Sequence, residues 1–457
     1  MALNGDRIID FLYISKTFWN VYNNQIKNSM EKKNNNIVAV ITMIFLFGMI
    51  SFVTNLAAPI GNIWKMQPGI EGSNALGMMG NMMNFLAYAI MGVPAGKMLT
   101  RYGYKKTALI AIAVGFLGVF VQFLSGVVLT NATLAGLPAN FFVYLLGAFI
   151  AGFSVCMLNT VVNPMLKLLG GKRSNQYIQI GGSFNSLMGT LTPMLVGVMI
   201  GTLTKNSVIT DVNPVLFLAM GVFALAFVIL CFIPIEDPEA VRSSDHAVSP
   251  FKYRHFIYGI IAIFLYVGVE VGIPGTLNFF LSDSTNGAGL DPSVAAKIGG
   301  VVAGFYWLLM LVGRLVSSVI SGKVSSRTQL TCVSAVAIIL ILIAIFLPNS
   351  AAVSMNFKAV QGAVNLPVSA ILLVLCGLCT SVMWGTIFDL AVEGLGASTN
   401  QASGIFMAMV VGGGILPLVQ NAFADKIGYL PSYWVLVIGL AFILFFAVAG
   451  SKVKSAE

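Results

Sequence analysis

The sequence predicts an all-α polytopic membrane protein of about twelve transmembrane helices in two six-helix bundles, both termini on the cytoplasmic side. Three observations carry that reading. First, the 457 residues are 58% hydrophobic and only 9% charged, with a mean hydropathy of +0.90. No soluble domain can bury that much apolar surface. Second, the apolar residues fall into runs of the ~20 or more that a bilayer demands. Third, Lys and Arg crowd the connections on one side of those runs.

In chain order, residues 1–29 are polar and aromatic without a clean period, and Met30-Glu-Lys-Lys before the apolar run from Ile37 looks like a natural start. The upstream segment reads as a mis-assigned start or a disordered tail, with 1–36 as the N-terminal tail. The first apolar run is too long for the h-region of a cleavable signal peptide. The predicted spans are 37–64, 74–99, 107–129, 139–168, 177–203, 213–234, 256–281, 293–320, 329–347, 367–392, 400–424 and 431–450. The longest hydrophilic interruption, EDPEAVRSSDHAVSPFKYR, makes 236–254 a cytoplasmic linker. It separates a bundle at 37–235 from a second at 255–451, ahead of a short tail at 452–457. With the N-terminus inside, Lys97, Arg101, Lys105, Lys106, Arg314 and Arg327 fall in or beside cytoplasmic connections. The outer side keeps only Lys65, Lys205, Lys297, Lys358 and Lys426. A net charge of +9 therefore belongs to the inner loops, and no nucleic-acid partner is expected.

The 47 glycines suit helices that approach closely in a membrane. The five cysteines (Cys156, Cys231, Cys332, Cys376 and Cys379) sit within apolar runs, without metal-ligand spacing. Only two histidines occur, both in or beside the linker, and no phosphate-cradling motif is present. Catalysis, a cofactor and a metal are not expected.

Against this background Glu270 stands out. It lies about midway along FIYGIIAIFLYVGVEVGIPGTLNFFL, whereas the other acids of the sixteen Asp+Glu fall in tails, in loops or near helix ends. A carboxylate at bilayer depth costs a few kcal/mol, so it should face a bundle interior or a water-filled cavity. The alternative is a protonated Glu that only ties two helices together. Amides recur inside the spans: Asn55, Asn81, Asn84, Asn159, Asn163, Gln179, Asn185 and Asn278. Tyr306, Trp307 and Trp384 bring aromatic faces to similar depth. Neutral hydrogen-bonding groups beside aromatic rings are what a polyol surface requires. From these, Asn55, Asn159, Asn163, Asn185, Asn278, Tyr306 and Trp384 are the candidate substrate-binding residues, and Glu270 is the candidate proton carrier. By residue count Lys97 and Arg314 fall towards cytoplasmic helix ends, so no deep cation is expected and a neutral substrate is favoured.

Two resemblances sharpen these expectations. The turn after the second span, GKMLTRYGYKK, resembles the signature loop G-x-x-x-D-R-x-G-x-R/K of the major facilitator superfamily. Gly96, Arg101, Gly103 and Lys105 match it, and Thr100 replaces the acid. Span 8 ends in a similar Gly- and base-rich stretch around Arg314, read as its counterpart. Nearly the whole chain from Ile37 is also similar to the fucose–proton symporter and glucose/galactose transporter family. FLFGMISFVTNL, NTVVNPMLKLLGG, GGSFNSLMGTLTP and FLYVGVEVGIPG match in order. The resemblance implies a bacterial inner-membrane sugar importer working by alternating access as a monomer, with a small sugar, the lipid bilayer and H+ or Na+ as partners. It places sugar-contacting amides at Asn55 and Asn185 and the family's glutamate at Glu270. The family's proton-carrying Asp of helix 1 falls at Ala58, however, and its helix-4 Glu at Asn159. Proton symport is therefore not carried over. An uncoupled or sodium-driven facilitator, a carrier of an acidic sugar, a drug exporter and a non-transporting sensor stay open.

Overall fold

The fold is taken from a computed structural model that describes residues 37–170, 174–200, 207–233, 249–320, 324–348, 350–358, 360, 362–395 and 399–453. The N-terminal tail and most of the linker lie outside the described residues. Among the described residues twelve helices are long and apolar enough to span a membrane. They are α1 (Ile37–Trp64), α2 (Asn74–Leu99), α3 (Arg101–Leu124), α4 (Ala139–Asn163), α5 (Ile180–Ile200) and α6 (Ile209–Phe232). The second six are α7 (Arg254–Ser282), α8 (Pro292–Ser317), α9 (Ser326–Phe346), α10 (Val368–Val392), α11 (Gly404–Ile427) and α12 (Tyr429–Gly450). The fold class matches the expectation, and the bounds differ by a few residues. The largest difference is α3, which begins at Arg101. Gly103, at φ +79° and outside helical geometry, makes a sharp kink where α2 and α3 join, so only a tight turn separates them.

Two small antiparallel hairpins were not expected. β1 (Thr133–Leu134) and β2 (Leu137–Pro138) pair across Ala135-Gly136, both with positive φ. β3 (Ala352–Asn356) and β4 (Ala363–Pro367) join α9 to α10.

Helix packing reveals the relation between the halves. α5 packs on α8, α2 on α11 and α1 on α7. Shifting each helix by six places turns the first pair into the second and returns the third to itself. That is what two equivalent six-helix units facing each other across a two-fold axis would give. Proline placement repeats with the same shift. Proline has no N–H to give to the carbonyl four residues earlier. Pro59 thus frees the carbonyl of Asn55 in α1, and Pro274 frees that of Glu270 in α7. Pro193 and Pro417 do the same for Gly189 in α5 and Gly413 in α11. The consequences are local and visible. The helical pattern of α1 lapses at Asn55-Leu56 before resuming at Ala57. The Gly413 carbonyl accepts from Asn81 Nδ2 of α2 at 2.8 Å, across the interface.

Glycine sets the separation of α5 and α8. A Cβ on Gly300 would lie 2.2 Å from the Pro193 carbonyl oxygen, and one on Gly304 2.6 Å from that of Thr190. Gly300→Ala should force the helices apart and cost about 1–3 kcal/mol, as overpacking does. Thermal melting of the purified protein checks this. Gly221→Ala in α6, with nothing within 4 Å of the new methyl, should melt no lower than the parent.

Candidate functional site

Between the halves lies a cavity of about 480 Å³, within the roughly 300–1,000 Å³ usual for small-molecule sites. The first half contributes Asn55 from the lapsed turn of α1, Tyr88 from α2, Asn159 and Asn163 from α4, and Asn185 from α5. The second contributes Glu270 from α7, Trp307 and Arg314 from α8, and Trp384 from α10. The amides are pinned through their nitrogens. Asn55 Nδ2 donates to the Ser51 carbonyl at 2.9 Å, and Asn185 Nδ2 to the Phe47 carbonyl at 2.8 Å. Asn159 Nδ2 donates to the Tyr88 hydroxyl at 2.6 Å, and Asn163 Nδ2 reaches the Asn159 carbonyl at 3.3 Å. Trp384 stands edge-on to Phe406 and Tyr266, which fixes its plane beside the cavity.

Two of the residues singled out from sequence lie elsewhere. Tyr306 is fully buried, and its hydroxyl is 2.8 Å from Thr380 Oγ1. The next residue, Trp307, lines the cavity instead. Asn278 borders a separate void of about 30 Å³, and its Oδ1 accepts from Asn62 Nδ2 at 2.6 Å. Of the loop residues, Gly103 makes the turn and Arg101 is exposed, with its guanidinium over the Tyr102 ring. Gly96 is helical with open space beside it. Lys105 Nζ donates to the carbonyls of Cys231 and Ile233 at the C-terminal end of α6. A cation is favoured there by the helix dipole and by carbonyls left without intrahelical partners.

Arg314 corrects the expectation drawn from residue counting. It lines the cavity, with Nη2 3.8 Å from Glu270 Oε1 and Nη1 donating to the Gly182 carbonyl of α5 at 2.9 Å. Glu270 Oε1 also accepts from the Tyr266 hydroxyl at 2.8 Å. A deep cation is present after all, and it is balanced by Glu270. Absence of a cation therefore no longer argues for a neutral substrate.

The two ends of the cavity differ. One end reaches Ser317, Ser326, Gln329 and the exposed Asp389, at the termini of α8, α9 and α10. Successive helices alternate in direction, so this is the side of the Gly103 turn. The other end is shut by a polar latch joining both halves. Lys65, directly after α1, is buried among Asn74, Tyr429 and the Phe279 ring. The Tyr429 hydroxyl lies 2.8 Å from Asp283 Oδ2, and Asp425 accepts from the backbone N–H of Asn74 and of Ala75 at the start of α2. Burial brings Lys65 down from 10.5 to about 8, with Asp283 and Asp425 pulling the other way. For Asp283, burial opposes ionisation, but the N–H groups of Asn286 and Thr285, Lys65 and the Tyr429 hydroxyl outweigh it and hold its carboxyl below the usual range.

With that geometry in place, the sequence profile of the Major Facilitator Superfamily matches residues 38–417. This chain belongs to the major facilitator superfamily. The glucose/galactose transporter of Brucella abortus is 30% identical over 443 residues, covering 94% of this chain and 98% of the relative. The L-fucose-proton symporter of Escherichia coli is 22% identical over 402 residues, covering 81% and 84%. Among solved structures, the D-xylose-proton symporter shares the fold with a TM-score of 0.66 at 13% identity, over 92% of this chain and 99% of the other. The chain is therefore an integral, multi-pass membrane protein of the superfamily.

The latch makes a prediction of defined sign. If the sealed face opens to water, Lys65 there regains its ordinary value. The closed form then gains stability as pH rises from about 8 to 10.5 and loses it as pH falls through 8. With the five native cysteines replaced by serine, Asn62→Cys should react with a polar thiol reagent several-fold faster when Lys65→Met takes away the hydrogen bonds of the Lys65 amine, charged or neutral, to Asn74 and Tyr429. With Lys65 present, labelling should fall between pH 7 and 9 relative to the Lys65→Met control.

Proposed function

We propose that this protein is a secondary transporter of the bacterial inner membrane that imports a neutral hexose or 6-deoxyhexose by alternating access. The observation that carries the reading is a cavity between two six-helix halves, lined with amides and tryptophan and holding one charge-balanced pair. Amides and the Tyr88 hydroxyl offer neutral partners to sugar hydroxyls, and indole faces suit the C–H surface of a pyranose. The curated relatives named for glucose, galactose and fucose fit the same chemistry. The excess of Lys and Arg on the side of the Gly103 turn puts that side in the cytoplasm. The conformation is then open inward and latched outward. Residues 37–235 and 255–451 act as the two rocking units.

Coupling follows from Glu270, the carboxylate in the middle of the cavity wall. A proton taken up there from outside removes the partner of Arg314; release to the inside restores the pair. The stretch matching the family's helix 1 has Ala58 where the family has a carboxylate, and Asn159 replaces a second one. That observation favours uncoupled facilitation as a second reading. In proteoliposomes an inward proton gradient should drive accumulation of a neutral hexose. Glu270→Gln should abolish accumulation while sugar exchange stays measurable. Accumulation by the variant at the parent level would remove Glu270 as carrier, and equilibration without accumulation by the parent would mean an uncoupled facilitator or sodium as the driver.

A further inference from the structure

Among the described residues Arg314 is the one Lys or Arg lining the cavity, and the only carboxylates there are Glu270 and Asp389. Asp389 sits at the open mouth, exposed, and accepts from Ser326 Oγ at 2.7 Å. The guanidinium is therefore balanced inside by Glu270 alone. The contact is loose. At 3.8 Å it is an ion pair without a hydrogen bond, while the same Oε1 takes the Tyr266 hydroxyl at 2.8 Å. Arg314 is anchored independently, through Nη1 on the Gly182 carbonyl, and a side chain at 182 would start 3.4 Å from that nitrogen. Removing the charge of Glu270 would therefore leave a guanidinium still held in place beside the amides. Its planar fork matches a carboxylate in bidentate fashion.

We propose that Arg314 is a specificity-determining residue and a latent carboxylate site, and that its pairing with Glu270 sets the charge of the sugar the cavity accepts. Paired, the wall is neutral and a hexose fits. With Glu270 neutralised, the cavity prefers a hexuronate, whose carboxylate replaces that of Glu270. With Arg314 neutralised, the surviving Glu270 prefers the ammonium form of an amino sugar. The inference rests on the reading of the cavity as a sugar site and adds the rule by which it discriminates.

The test is ligand binding to the purified full-length protein, read by tryptophan fluorescence, with galactose, galacturonate and galactosamine as probes. Glu270→Gln should bind galacturonate at least tenfold more tightly than the parent does, and Glu270→Gln/Arg314→Gln should lose that gain. Arg314→Gln should gain at least tenfold for galactosamine; this arm keeps the rule testable should Glu270→Gln fail to fold. A monodisperse Glu270→Gln or Arg314→Gln that keeps the parent's order of preference overturns the assignment. So does a galacturonate gain that survives loss of Arg314. If the parent binds no galactose but both gains appear, the Arg314 assignment stands and the neutral-sugar reading fails. Absence of binding to any probe by every form overturns both.

Discussion

In a bilayer each backbone carbonyl must find a donor inside the protein or in a water-filled cavity. This chain breaks its own helical ladders at places where that condition can be met. Pro59 and Pro274 free the carbonyls of Asn55 and Glu270, and both residues line the cavity between the halves. Pro417 frees the Gly413 carbonyl, which Asn81 satisfies from across the interface. Irregular backbone in such a protein is tolerated beside a cavity or against another helix. Proline positions thus say where two halves must meet and where water or a solute must stand.

Much of this was legible in the sequence, because membrane thickness turns hydropathy directly into helix bounds. The twelve spans follow from apolar run length alone. The inward face of a helix was harder to read. Adjacent residues on a helix point about 100° apart, so Trp307 reaches the cavity while Tyr306 turns to Thr380. Arg314 was misjudged for a different reason. Counting residues locates a Cα, but a long side chain carries its charge several ångströms away. The burial of Lys65 was not legible because its partners, Asn74, Asp283, Asp425 and Tyr429, are brought together by four other helices. The sequence also carries an internal repeat. NLAAP in α1 repeats as EVGIP in α7, and Gly189-to-Pro193 in α5 as Gly413-to-Pro417 in α11, each a residue four places ahead of a proline. That spacing marks the internal repeat and points at Asn55 and Glu270 together.

The two charged assemblies follow different rules. Glu270 and Arg314 face the cavity, loosely paired and open to competition from a solute. The latch has a buried centre, Lys65 hydrogen-bonded to Asn74 and Tyr429, with Asp425 at an exposed rim. Burying a charge is tolerable only with partners this close, and those partners come from both halves. Its integrity therefore reports the relative position of the halves, whereas the Glu270–Arg314 pair lies within the second half and can respond to what the cavity holds.

Asp425, itself exposed, accepts from the backbone N–H groups that begin α2, and this has one more consequence. A helix N-terminus and a carboxylate both hydrate well, so when they part, water takes over each bond that is lost. The free energies of the shut and parted forms then differ by much less than the number of bonds suggests. Under the proposed alternating access, the unloaded form is consequently not trapped in one orientation by its own seal.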